Sequence, residues 1–143
     1  MMKAFVMFTG LVILILPACK TNRYANGKKV GKWVEQTMVN GQNYKFIYHY
    51  KNNGRERGNW KYYRNDTLTS NERYRGNISL IKIYHDNGKI SSRGKARTDI
   101  SDPEQFHWFY IGEWKVYAQN GKLEYLRYYE NGQQMKEIRL PER

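Results

Sequence analysis

Apolar and polar residues alternate singly along much of this chain, the period of a strand with one face turned inward. Tyr44, Phe46, Tyr48 and Tyr50 fall on one side, with Lys45, Ile47, His49 and Lys51 on the other. A second stripe runs through Phe106, Trp108, Tyr110, Gly112, Trp114 and Val116, opposite His107, Phe109, Ile111, Glu113, Lys115 and Tyr117. This second stripe keeps aromatic residues on both sides, which predicts a sheet covered or rolled on both faces. Helical periodicity sustained over a dozen residues is confined to the first twenty positions.

Turn signals separate the predicted strands. The chain spells Tyr-x-x-Asn-Gly four times, at Tyr50–Gly54, Tyr84–Gly88, Tyr117–Gly121 and Tyr128–Gly132. An Asn-Gly step accepts positive φ at both residues and so closes tight hairpins between right-twisted strands. A Gly-x-Trp element recurs at Gly31–Trp33, Gly58–Trp60 and Gly112–Trp114. Gly27, Gly41 and Gly54 are spaced by 14 and 13 residues, and the weaker signals Asn65-Asp66 and Gly76-Asn77 divide the interval to Gly88 into similar steps. Each step fits one strand plus a turn, and two steps make a repeat of roughly two dozen residues. The expectation is an all-β fold over residues 26–140, an antiparallel meander of successive hairpins in one elongated sheet.

The rhythm lapses between Gly88 and Gly121, where Arg97 to Gln105 intervenes. Asp102-Pro103-Glu104 reads as an N-cap with Pro at the first helical position, hence a single turn of helix. A Ca²⁺ site built from Asp99, Asp102 and Glu104 would have a spacing unlike an EF-hand loop, so a plain surface insertion without metal is the expectation.

The amino terminus is a different kind of segment. Thirteen residues of apolar type, Ala4 to Leu16, are too few to span a bilayer as a helix but suit the core of a signal peptide. The following Leu16-Pro17-Ala18-Cys19 resembles the bacterial lipoprotein signal. That resemblance implies a signal peptide at 1–18, acylation of Cys19 as the first mature residue, and a short tether over 19–25. The competing readings are an ordinary secretory peptide cut near Ala18 and a short anchor left uncut. Several acyl chains hold a bilayer firmly. Lys20 follows Cys19, where the inner-membrane retention signal of enteric bacteria has Asp, so the outer membrane is expected, on its periplasmic or external face.

Composition narrows the partners. The chain has 13 Tyr and 4 Trp, and 25 Lys and Arg against 13 Asp and Glu, a formal charge of +12. Removal of Lys3 with the signal segment leaves 24 − 13 = +11. Few aliphatic residues remain for a thick core, so a thin sheet carrying Tyr and Trp is expected, with Lys and Arg stems lying over them. Nucleic acid is set aside as a partner because export removes the chain from it. Anionic lipid and the phosphates of lipopolysaccharide would attract the same charges. The plain reading of most individual cations is solubility and protection of sheet edges. Catalytic chemistry is absent from the pattern. His49, His85 and His107 stand in no repeated relation to an acid or nucleophile, no Gly-x-Ser-x-Gly or phosphate-cradling loop occurs, and no cofactor is implied.

The run Gly-x-Trp-x-x-Tyr-x-x-Asn-Gly, complete at Gly112–Gly121, with its further Tyr-x-x-Asn-Gly copies, resembles bacterial variants of the MORN repeat, of the YwqK type labelled antitoxin-component proteins. The resemblance covers most of residues 24–140. It implies an elongated antiparallel sheet, no enzymatic role, and scaffolding or binding of a protein partner or a membrane. The function expected is a non-enzymatic, lipid-anchored envelope protein whose sheet binds another envelope protein, with Trp108, Tyr110, Trp60 and Trp114 as candidate anchors. The alternatives are an immunity protein against a secreted toxin and a binder of an anionic lipid or glycan surface. The open ends of such a sheet either pair with another copy or are capped by Ile138 to Pro141.

Overall fold

The computed structural model describes residues 21–101 and 107–141. The expected signal peptide, Cys19, and the expected helical turn at Asp102-Pro103-Glu104 lie outside the described residues. Within them the fold is all-β, with strands β1 (Arg23–Ala25), β2 (Lys28–Val39), β3 (Gln42–Tyr50), β4 (Gly58–Arg64) and β5 (Thr67–Arg75) in the first half. The second half holds β6 (Ile78–Tyr84), β7 (Ile90–Asp99), β8 (His107–Tyr117), β9 (Leu123–Glu130) and β10 (Gln133–Arg139). All ten form one antiparallel sheet in chain order, with β1 and β10 as the two outer edges. The expected meander of hairpins is present.

The hairpins close in more than one way. Asn26-Gly27, Asn40-Gly41, Asn65-Asp66 and Asn131-Gly132 carry positive φ at both residues, the two-residue turn anticipated from Asn-Gly. Gly76-Asn77 turns with positive φ at its first residue alone. Three of the four Tyr-x-x-Asn-Gly copies depart from the expected tight turn, since only their Gly has positive φ. In these the Gly N–H donates to the carbonyl three residues back: Gly54 to Lys51 at 3.0 Å, Gly88 to His85 at 2.9 Å and Gly121 to Ala118 at 2.8 Å. The Asn acts through its side chain, its Oδ1 accepting from the N–H of Arg55, Lys89 or Lys122 at 3.1, 3.0 and 2.9 Å. The reason lies in the two residues after Tyr. Where they leave the strand the loop is longer, and Asn serves as a local acceptor. Only at Tyr128–Gly132 do they stay in the strand, as far as Glu130.

The Gly-x-Trp element builds the packing. Gly31, Gly58 and Gly112 have positive φ and stand opposite Tyr50, Tyr74 and Tyr129 on the neighbouring strand. The Trp two residues later leans against that same Tyr, with ring centroids 6.5 Å apart for Trp33, 4.7 Å for Trp60 and 6.0 Å for Trp114. Each indole N–H then reaches a carbonyl on the preceding strand: Arg23 at 3.1 Å, His49 at 3.0 Å and Lys95 at 3.1 Å. A buried Trp is thereby satisfied and its strand is tied to the one before it.

Cross-strand partners share a face, so the register sorts the residues. Trp33, Tyr48, Tyr62, Glu72, Ile81, Ala96, Tyr110 and Trp114 share one face, called here the aromatic face. Its centre is a cluster of Ile81, Ala96 and Trp114, with Ile83, Trp108, Tyr110 and Tyr129 packed around it. Gly94 is the seat for Trp114: a Cβ there would lie 2.2 Å from the indole ring. The expectation of a sheet covered or rolled on both sides is not met among the described residues. Every substantial contact between strands joins neighbours in chain order, so the sheet is an open single layer. The aromatic rings bury one another sideways along the face, so that no second layer is needed to shield them. The segment expected as a possible end cap also has another place, since Ile138 belongs to β10 and pairs with Leu126.

Candidate binding surface

All four expected anchors lie on the aromatic face, in two clusters. Trp60 is half-buried among Tyr48, Tyr50 and Tyr74 at 4.6, 5.2 and 4.7 Å. Trp114 is 3% exposed, with the Tyr110 ring tilted by 40° against it at 4.0 Å. Trp108 meets Tyr110 edge-on at 5.2 Å, and both are half-buried. The bonded indoles of Trp60 and Trp114 hold the sheet together. Trp108 differs, because its Nε1 is buried with no hydrogen-bond partner among the described residues. Burial raises the pKa of the Tyr110 phenol.

Between the clusters sits a carboxylate, Glu72, 9% exposed. Burial raises its pKa, while hydrogen bonds from Tyr74 (2.9 Å) and Tyr62 pull it back. The phenols of Tyr62 and Tyr74 are pushed far above their ordinary range, first by burial and then by the Glu72 charge. Tyr48 and Tyr50 rise to about 12, again mainly through burial. The histidines are engaged locally, His49 Nδ1 with the Asn59 carbonyl at 2.8 Å and His85 Nε2 with the Tyr117 carbonyl at 2.9 Å. Among the described residues, no group of three His, Cys, Asp or Glu could hold a metal. Asp99 accepts from the Ser101 N–H at 2.9 Å, which holds its carboxyl below the usual range; Asp102 and Glu104 lie outside the described residues.

The opposite face has another chemistry. Register places Lys61 opposite Asn71, Asn71 opposite Lys82, Lys82 opposite Arg93, and Arg93 opposite Lys115, one row across five strands. A second row contains Arg73 and Lys95 on either side of Leu80, and a third contains Arg75 and Arg97 on either side of Ile78. Adjacent strands are about 4.8 Å apart, and like charges directly opposite one another are unfavourable. Lys115 has Glu113 at 3.7 Å, and the Arg93 guanidinium lies 5.6 Å from the Tyr117 ring. Among the described residues, no carboxylate is ion-paired with Lys61, Arg73, Lys82, Arg93 or Lys95. Apart from Lys61, the first two rows line a groove of about 570 Å³ in which Leu80 is exposed and to which Glu113 also contributes.

This basic face escapes a reading of the sequence, which sees Arg73 and Arg75, Lys82, and Arg93, Lys95 and Arg97 as separate solubilising charges. The signal is there as spacing by two in consecutive strands. It becomes a surface only when the register of β5, β6 and β7 is known. The chain matches no protein-family model, no curated protein and no solved structure.

Proposed function

We propose that this chain is a non-enzymatic, lipid-anchored protein of the cell envelope, held in the outer membrane by acyl chains on Cys19, and that its basic sheet face binds an acidic protein partner. The observation that carries this reading is the file Lys82–Arg93–Lys115, three cations facing one another across three strands. Setting like charges directly opposite one another costs folding stability, which the contacts of Lys115 with Glu113 and of Arg93 with Tyr117 only partly offset. A partner carrying carboxylates would convert mutual repulsion into attraction and speed the encounter. A protein is favoured over a flat lipid surface because the cations rim a recess that exposes the apolar side chain of Leu80. Side chains can enter such a recess.

The test is capture of envelope proteins by the full lipidated chain, compared with a Lys82→Glu/Arg93→Glu variant, at low and moderate salt. The reversal should cut capture about tenfold or more, and salt should weaken the wild type. Undiminished capture by the reversed variant would sink the proposal. Binding of wild type to anionic vesicles with no captured protein would move the ligand to lipid. Trp108→Ala should leave capture unchanged, since Trp108 is on the other face; a loss there would restore the aromatic anchors. Cys19→Ser should release the protein from membranes.

A further inference from the structure

The two edges of the sheet are finished differently. The β10 edge is interrupted by a register shift between Gln134 and Lys136 and carries Lys136, Glu137 and Arg139, the usual means of discouraging strand addition. At the other edge β2 is twelve residues long, but β1 covers only Lys28 to Val30. Asn22 extends that cover a little. Its N–H donates to the Lys32 carbonyl at 2.9 Å, its side-chain Nδ2 donates to Val34 O at 2.9 Å, and its Oδ1 accepts from Val34 N at 2.7 Å. The amide of Asn22 thus stands in for the peptide group of an adjoining strand. Lys32 and Val34 therefore direct their backbone groups outward, and by alternation so do Gln36 and Met38. Among the described residues nothing pairs with these last two. Met38 is 74% exposed and Val39 50%. No Lys or Arg occurs between Lys32 and Lys45 to blunt this edge.

We infer that the free edge of β2 pairs with the same edge of a second copy, antiparallel, about a two-fold axis through Thr37. The geometry is self-complementary. With Thr37 facing its counterpart at a non-hydrogen-bonded position, Gln36 of each copy faces Met38 of the other, and the four outward backbone groups on each side become mutual donors and acceptors. Glu35 comes opposite Val39, so no two like charges meet. Directly opposed residues share a face, so the axis is perpendicular to the sheet and both basic faces look the same way. A contact of about five residues per copy is far below the area of an independent stable dimer. It is suited to molecules already concentrated by a common membrane, as the tether proposed above would provide, though the edge geometry itself does not depend on that proposal.

The experiment uses Thr37→Cys in the full chain, reconstituted in neutral-lipid vesicles and oxidised mildly. Opposed non-hydrogen-bonded positions have Cα atoms about 4.5 Å apart, within disulfide reach. Thr37→Cys should give a covalent dimer on a non-reducing gel. The wild type, with Cys19 alone, and Met135→Cys, another exposed site (62%), on β10, should give at least fivefold less. Adding Met38→Lys or Gln36→Pro should suppress the Thr37→Cys dimer while circular dichroism still reports sheet. No dimer with Thr37→Cys, as much with Met135→Cys, or a dimer indifferent to both second changes would each overturn the inference. The Lys82→Glu/Arg93→Glu variant should still cross-link through Thr37→Cys, so failure of the basic-face reading is separable from failure of this one.

Discussion

Glu72 is the residue whose chemistry is most altered by the fold. Its pKa is raised chiefly by burial, so the folded chain holds the proton more tightly than the unfolded chain does. The resulting stabilisation is complete below the ordinary carboxyl range and is lost as pH rises through the folded-state value. Tyr48 and Tyr50 have the same sign at the other end of the scale. Their contribution is intact below pH 10 and is lost as pH climbs toward about 12. Urea unfolding followed against pH should therefore show two declines. Glu72→Gln keeps an oxygen for the Tyr74 hydroxyl and has no charge to bury, so it should abolish the acidic decline and leave the alkaline one. An acidic decline that survives in the variant would place its origin elsewhere.

Strands and turns behave according to which residue carries which constraint. At Asn65-Asp66 both residues have positive φ, 47° and 61°, in a hairpin the other copies close with Gly at the second position. An L-residue there costs about 1–2 kcal/mol, against which Gly loses about 0.5–1 kcal/mol in chain entropy. Asp66→Gly should thus stabilise by roughly 0.5–1 kcal/mol, read as a raised melting temperature. No rise, or a fall, would mean that the Asp66 side chain has a compensating contact. Element type and order were legible in the sequence because alternation and Asn-Gly act within a few residues. Even the weak turns at Asn65-Asp66 and Gly76-Asn77 lie where spacing put them. Three things were not legible. The loop form of Tyr50–Gly54 turns on where β3 stops, the sharing of a face by Trp60 and Glu72 on register, and the row of cations on register carried across five strands. Each is fixed by pairing between strands, which a single strand's pattern does not contain. Trp108 and Tyr110 were legible as aromatic positions of β8, but their burial against Ile81 and Ala96 required β6 and β7 to be placed beside them.

At the scale of the molecule, stability is concentrated where the buried residues are. Tyr74, Ile81, Ala96 and Trp114 are each at most 8% exposed and lie on β5 to β8, while β10 exposes nearly all of its residues. In a one-layer array each strand is secured by its two neighbours, so opening begins at the ends. Amide hydrogen exchange should find the slowest protons in β5–β8 and the fastest in β10, with β2 intermediate because Val30 and Trp33 are buried there. Uniform protection from end to end would contradict this picture. Contacts that join only consecutive strands have a further consequence for heredity. A duplicated or deleted pair of strands changes the length of such a molecule without asking any remaining pair to find a new neighbour. Lineages can therefore lengthen or shorten it by tandem copying, and the worn versions of the motif around Asn65 and Gly76 are what such copying, followed by drift, would leave behind.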